Sequence, residues 1–184
     1  MTPSADRPPF QKVGGQKVFE SRVFSVETVQ LTDPDGEAFE RDLVRHPGAV
    51  AVIPLHDDGT VSLVRQFRAS VMTTLLEAPA GTRDVDGEPP EETARRELIE
   101  EAGLDAGTLR RLVAVRNSPG FCDQETIVYL ATDLSPVPTA RSGIEEQWMS
   151  VERVPLAEVD ALVADGRLVD ETTVLGLLLA RTAG

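Results

Sequence analysis

Three carboxylates carry the most suggestive chemistry in this chain. Residues 96–104 read Arg-Glu-Leu-Ile-Glu-Glu-Ala-Gly-Leu. On a helix, Glu97 and Glu101 stand about one turn apart and Glu97 and Glu100 three residues apart, so all three share a face. Like charges at these spacings repel by about 0.2–0.5 kcal/mol per pair. A solvated acidic face is one reading of the cluster. A site for a hard divalent cation is the other, because Mg²⁺ takes carboxylate oxygens together with the oxygens of a substrate phosphate. Leu98 and Leu104 fall elsewhere on the segment and can anchor it to a core.

The elements around the cluster must hold it in place. Pro89-Pro90 suits a helix start, since proline needs no hydrogen-bond partner there. Glu91 and Glu92 favour the positive end of the helix dipole. Gly103 suits the left-handed position that stops a helix. The expected helix is thus about 13 residues long, close to the usual length. Upstream, residues 49–55 form a continuous apolar run, the pattern of a strand buried on both faces. Asp57-Asp58-Gly59 turns the chain into a partner strand over 61–68, and 74–78 is a short third strand. On the 61–68 strand Arg68 and Gln66 share one face, opposite Arg65. Downstream, 109–116, 126–132 and 148–154 read as strands. A linker over 133–146 carries Pro136, Pro138 and Gly143. Leu156, Val159, Leu162 and Val163 recur at helical spacing. A last helix starts with Asp170 as its cap.

Ahead of this region, 17–31 and 38–46 read as two extended stretches joined by Asp33-Pro34-Asp35-Gly36, an antiparallel strand pair. The division expected is a disordered tail over 1–16, N-terminal strands over 17–46 that form a dimerisation element, and a main domain over 47–184. Strands and helices mix without strict alternation. The fold class expected is α/β (α+β), a mixed sheet with helices on its faces.

The 184 residues carry a formal charge of -13, which argues against a nucleic-acid partner, whose recognition needs a basic face. The single cysteine, Cys122, allows no intrachain disulfide and no all-cysteine metal site. There is no apolar run at the start and none near the roughly 18 residues of a membrane span. A soluble, cytoplasmic protein without membrane contact is expected.

The pattern Gly81, six residues, Glu88, seven residues, Arg96-Glu97-Leu98-x-Glu100-Glu101-x-Gly103-Leu104 resembles the Nudix box. The family spacing from the glycine to the first glutamate is one residue shorter. The departure falls in a loop, where insertions are tolerated. The resemblance implies an α/β/α sandwich, with Glu97, Glu100 and Glu101 holding Mg²⁺ or Mn²⁺ and the carbonyl of Ala80 completing a metal shell. It implies that Gly81, Glu88, Arg96 and Gly103 are structural parts of the motif.

Outside the box, Leu76-Glu77-Ala78-Pro79-Ala80-Gly81, Ser118-Pro119-Gly120-Phe121 and His46-Pro47-Gly48-Ala49-Val50-Ala51-Val52 resemble segments of the ADP-ribose pyrophosphatase subfamily. That resemblance implies a homodimer. In it, Arg68 meets a phosphate or ribose, Arg41 does so from the other subunit, and Phe24 stacks on adenine. A plain surface or core role is open for each of the three. The catalytic carboxylate of the subfamily comes from a loop well after the box, and Glu145 or Glu146 stands in the matching place, with Glu146 preferred. The expected reaction is metal-dependent hydrolysis of a nucleoside diphosphate sugar, foremost ADP-ribose to AMP and ribose 5-phosphate. GDP-mannose, a dinucleoside polyphosphate, or a non-catalytic ligand-binding regulator are the alternatives.

Overall fold

A computed structural model describes residues 9–141 and 143–182. The chain divides into two compact units. One comprises the residues up to Pro47 with the loop Ser118–Gln124, and the other comprises Gly48–Asn117 with the residues from Glu125 onward. The 118–124 loop therefore groups with the N-terminal strands, not with the segments that flank it in sequence.

The smaller unit is a three-stranded antiparallel sheet: β1 (Gln11–Glu20), β2 (Ser25–Thr32) and β3 (Ala38–Arg45), in that order. This corrects the sequence reading in two ways. The stretch 17–31 is not one strand, because Ser21 turns the chain: its hydroxyl caps the amide of Phe24 at 3.0 Å and its amide donates to the Phe24 carbonyl. The first strand also begins at Gln11, inside the stretch expected to be disordered, because its backbone pairs with β2 from Gln11↔Thr32 to Glu20↔Ser25. Residues 1–8 of the expected tail lie outside the described residues. The turn read at Asp33–Gly36 is present, with Asp33 Oδ1 accepting from the amides of Asp35 and Glu37.

The larger unit holds two sheets. Strand β4 (Ala49–Pro54) is central in the first, paired parallel with β9 (Glu125–Pro136) and antiparallel with β7 (Ala80–Thr82); β8 (Leu104–Arg116) lies beyond β9. The second sheet sets β5 (Thr60–Arg68) between β6 (Thr73–Glu77) and β10 (Ser150–Pro155). Strand β4 is apolar on both sides because both sides are covered. Val50 and Val52 face a core with Ala94 and Leu98 of the acidic helix, while Ile53 faces a second core with Leu162, Leu168 and Leu177. Those three come from helix α2 (Val159–Ala164), the loop after it, and helix α3 (Glu171–Thr182). Helices thus cover both faces of a mixed sheet, as expected. Asp170 caps α3 through the Thr173 amide at 2.7 Å. Among the described residues no helix is long and apolar enough to cross a membrane.

Candidate active site

The acidic helix begins at Pro90, with Pro89 in extended conformation before it. Helix α1 runs over Pro90–Glu97, and Leu98–Ala102 continues it as a π-helical turn that ends at Gly103, whose φ is 66°. The whole length matches the sequence reading, but the last turn is wider than an α-turn. Such widening is frequent at functional sites. Glu97 ends the α-helical part, and Glu100 and Glu101 lie within the wider turn. Glu97 is 9% exposed and Glu101 4%, while Glu100 is half-buried. Ala94 and Leu98, one turn apart and fully buried, pack the adjoining flank of the helix into the core.

Two contacts fix the buried pair. Glu101 Oε2 accepts from the Ala80 amide at 2.9 Å, so strand β7 holds this carboxylate directly. Gly81 leaves room for the other: a Cβ at Gly81 would lie 2.6 Å from Glu97 Cγ and overlap its carboxyl group. The box glycine is therefore a close-approach position.

Arg96 is the charge balance of the cluster. Its guanidinium donates to Glu97 at 2.7 Å, to Glu88 at 3.3 and 3.4 Å, and to Glu100 at 3.5 Å. Glu88 also accepts from the buried Thr93 hydroxyl at 2.8 Å. The extra residue before Glu88 is absorbed in an exposed turn, closed by Glu88 N–H to the Val85 carbonyl at 3.2 Å, and Glu88 still reaches Arg96. Burial lowers the Arg96 pKa, but the hydrogen bond to Glu88 and the charges of Glu97, Glu88 and Glu100 outweigh it and raise it. Arg96, shared with Glu88, neutralises only part of the acid. Burial pushes the Glu97 carboxyl up to about 7 against the pull of Arg96, with Glu100 and Glu146 adding repulsion. Burial pushes Glu101 up to about 8 despite the Ala80 hydrogen bond, with Glu97 and Glu146 again repelling and Arg68 attracting.

The loop carboxylates separate in the structure. Glu145 is exposed, whereas Glu146 is half-buried and its charge acts on both Glu97 and Glu101. Glu146 opens a short 3-10 turn, Glu146–Trp148, and its Oε2 accepts from the Gly143 amide at 3.1 Å. Trp148 belongs to this turn and not to the strand expected to begin there, which starts at Ser150.

Arg68 also stands near the cluster. Its Nε donates to both oxygens of the buried Glu77 at 3.0 Å, and its charge acts on Glu101. Phe24 and Arg41 lie in the smaller unit. Phe24 is exposed and packs against Phe19, ring centroids 5.9 Å apart. Arg41 lies 4.8 Å over the Phe39 ring and donates to its neighbour's carbonyl at 2.7 Å. Cys122 is a free thiol accepting from the Gln124 amide at 3.4 Å.

Sequence reading passed over the roles of two residues. Glu77 was read only as part of a similar segment, yet it holds Arg68. Arg141 was not singled out, yet it hydrogen-bonds the main chain of the acidic helix. Neither carries a spacing signal, because each partner lies on another element.

The donor set is all oxygen: two buried carboxylates, a third at their edge, and a nearby loop carboxylate. Such a set fits a hard divalent cation in kind, and the uncompensated repulsion among these acids is what a cation would relieve. Among the described residues no three acidic, histidine or cysteine side chains already converge on one point. Arg96 draws Glu97 and Glu100 toward itself.

The NUDIX domain profile matches residues 45–169. The chain belongs to the Nudix family, whose members generally use divalent metals. It is 37% identical over 169 residues to an ADP-ribose pyrophosphatase of Mycobacterium tuberculosis, covering 92% of this chain and 82% of that one. To an ADP-ribose pyrophosphatase of Bacillus subtilis it is 37% identical over 161 residues, covering 88% and 86%. A GDP-mannose pyrophosphatase of Yersinia enterocolitica is 32% identical over 168 residues, covering 85% and 86%. Among solved structures, an ADP compounds hydrolase superposes with a TM-score of 0.83 at 26% identity, over 98% of this chain and 96% of that one.

Proposed function

We propose that this Nudix pyrophosphohydrolase cleaves the diphosphate of ADP-ribose to AMP and ribose 5-phosphate, with Mg²⁺ or Mn²⁺ as its metal. The observation that carries the reading is the buried pair Glu97 and Glu101, held against Gly81 and Ala80 and left with raised pKa values. The substrate follows the two ADP-ribose pyrophosphatases at 37% identity; the GDP-mannose pyrophosphatase at 32% keeps that sugar nucleotide as the second reading.

Glu97, Glu100 and Glu101, with the Ala80 carbonyl, are the residues that would hold the metal. When bound, the cation neutralises the diphosphate and acidifies the attacking water. Glu88 and Arg96 keep the carboxylates in register. Glu146 accepts a proton from the water as its oxygen attacks phosphorus, and the bond from that phosphorus to the bridging oxygen breaks. Glu146 serves this role better than Glu145 because its charge already acts on Glu97 and Glu101. Arg68 is the phosphate or ribose contact in the larger unit. In the smaller unit, Phe24 is the adenine platform and Arg41 a contact supplied across a homodimer. Residues 17–46 form the dimerisation element, and the protein works in the cytoplasm.

The test is AMP release from ADP-ribose with Mg²⁺ or Mn²⁺, beside GDP-mannose and diadenosine polyphosphates. Glu101→Gln is expected to lose on the order of 10²-fold or more in kcat. Turnover of GDP-mannose alone would keep the mechanism and replace the substrate. Absence of metal-dependent turnover on the whole panel would leave a ligand-binding regulator as the reading.

A further inference from the structure

The loop that carries Glu146 has one anchor on each side. Before it, the linker runs along the end of the acidic helix: the Val137 amide donates to the Gly103 carbonyl at 2.9 Å, and Ala140 lines a cleft beside Arg96 and Glu100. After it comes Met149, only 5% exposed, leading into β10. Arg141 ties both sides together. Its Nε and one terminal nitrogen donate to the Glu101 carbonyl at 3.2 and 2.7 Å, and the other terminal nitrogen donates to the Met149 carbonyl at 2.6 Å. A planar guanidinium can bridge two carbonyls in this way, and a lysine ammonium cannot reproduce the fork. The Glu101 carbonyl lies at the end of the helix, where main-chain acceptors lack helical partners and a cation is favoured.

We infer that Arg141 is a positioning residue for the reaction: it fastens both stems of the Glu146 loop to the main chain of Glu101, and so sets where the loop carboxylate stands relative to the buried acids. The inference rests on the role given to Glu146 above. Between the stems the loop is held by short-range bonds: Gly143 N–H to Glu146, Gln147 N–H to the Gly143 carbonyl at 3.1 Å, and Met149 N–H to the Glu146 carbonyl at 3.0 Å. These bonds lie within the loop, and Arg141 joins the loop to the helix through a residue that is itself part of the acid cluster.

The chain's single tryptophan, Trp148, sits inside this loop and is 84% exposed, so its fluorescence reports the loop without need of turnover. The experiment combines that signal with a mutant cycle of Arg141→Gln, Glu146→Gln and the double variant, assayed for kcat and KM on ADP-ribose. Arg141→Gln is expected to lower kcat by about 10–100-fold with KM changed less than about threefold, the mark of lost transition-state interaction rather than lost binding. Trp148 anisotropy should fall. In the Glu146→Gln background the same substitution should cost almost nothing further, since coupled residues are not additive. Arg141→Lys should recover only part of the rate, and it replaces the glutamine variant throughout if that variant does not fold. Additive losses, or unchanged Trp148 anisotropy, would overturn the inference and leave Arg141 as a helix-end brace. If Glu146→Gln alone leaves kcat intact, the base assignment falls, and the Trp148 signal still decides whether Arg141 holds the loop.

Discussion

Glu101 and Glu97 show how burial changes the proton affinity of an acidic face. On an exposed helix their repulsion would be a small matter. Buried, their carboxyls bind protons near pH 8 and pH 7 instead of the usual 4.5. The folded protein therefore holds protons that the unfolded chain releases, and by linkage stability falls as pH rises through this window. Metal-stripped protein should be most favoured by these two groups below about pH 4.5 and should lose that contribution progressively between about pH 4.5 and 8. Millimolar Mg²⁺ should restore melting temperature most at the upper end, because it binds the deprotonated form. Calorimetry from pH 5 to 8.5, with EDTA and with Mg²⁺, checks this. A Glu97→Gln, Glu101→Gln double variant should flatten the metal-free profile, and an unchanged slope would mean that these carboxyls do not carry it. Asp58, Asp123 and Glu27, held below the usual carboxylate range by hydrogen bonds and arginine or lysine neighbours against their own desolvation, act in the opposite sense. They contribute stability that is lost only toward acid.

At the scale of the element, the acidic helix is held by its apolar side. Leu98 is fully buried against Ala94 and the Val50–Val52 stretch of β4, and this contact pushes Glu97 and Glu101 toward β7. Truncating such a leucine costs about 2–5 kcal/mol, the spread reflecting how far the cavity collapses. Leu98→Ala is thus expected to lower stability by about that much in urea titration. It should also weaken Mg²⁺ stabilisation, because the carboxylates shift with the helix. Leu98→Met, close in volume, should cost less than about 1.5 kcal/mol. Loss of stability with metal response intact would show that β7 alone, through Ala80 and Gly81, positions the acids.

For the whole molecule, both units leave large apolar side chains exposed. Phe10, Val13, Val18 and Phe19 of the N-terminal sheet are each about half exposed, at 49%, 59%, 52% and 52%. The larger unit has two aliphatic cores on either face of β4, and it too leaves Val71, Met72 and Ile144 exposed. Exposed apolar side chains along β1 and just before it fit an interaction surface, and the homodimer proposed above would use them. Sedimentation velocity at micromolar concentration should show a dimer, and Val18→Glu with Phe19→Glu should shift it toward monomer. A monomeric wild type would remove the dimer and with it the cross-subunit role of Arg41.

Local signals carried much of this protein. The helix around Glu97, its proline start and its Gly103 stop were legible because each depends on residues within a few positions. So was β4, whose double-sided apolar pattern states that both faces are covered. The three glutamates proposed to hold the metal were legible as a cluster for the same reason, as one short run of fixed spacing. The split of 17–31 into two strands was missed because one serine side chain makes the turn without glycine or proline. The π-turn was missed because sequence periodicity does not distinguish it from an α-turn. Which of Glu145 and Glu146 faces the acids, why Gly81 must lack a Cβ, and how Arg68 and Arg141 are held were decided only in three dimensions. Each depends on partners brought together by β7, β6 and the linker, and burial, unlike spacing, is a property of the packed chain.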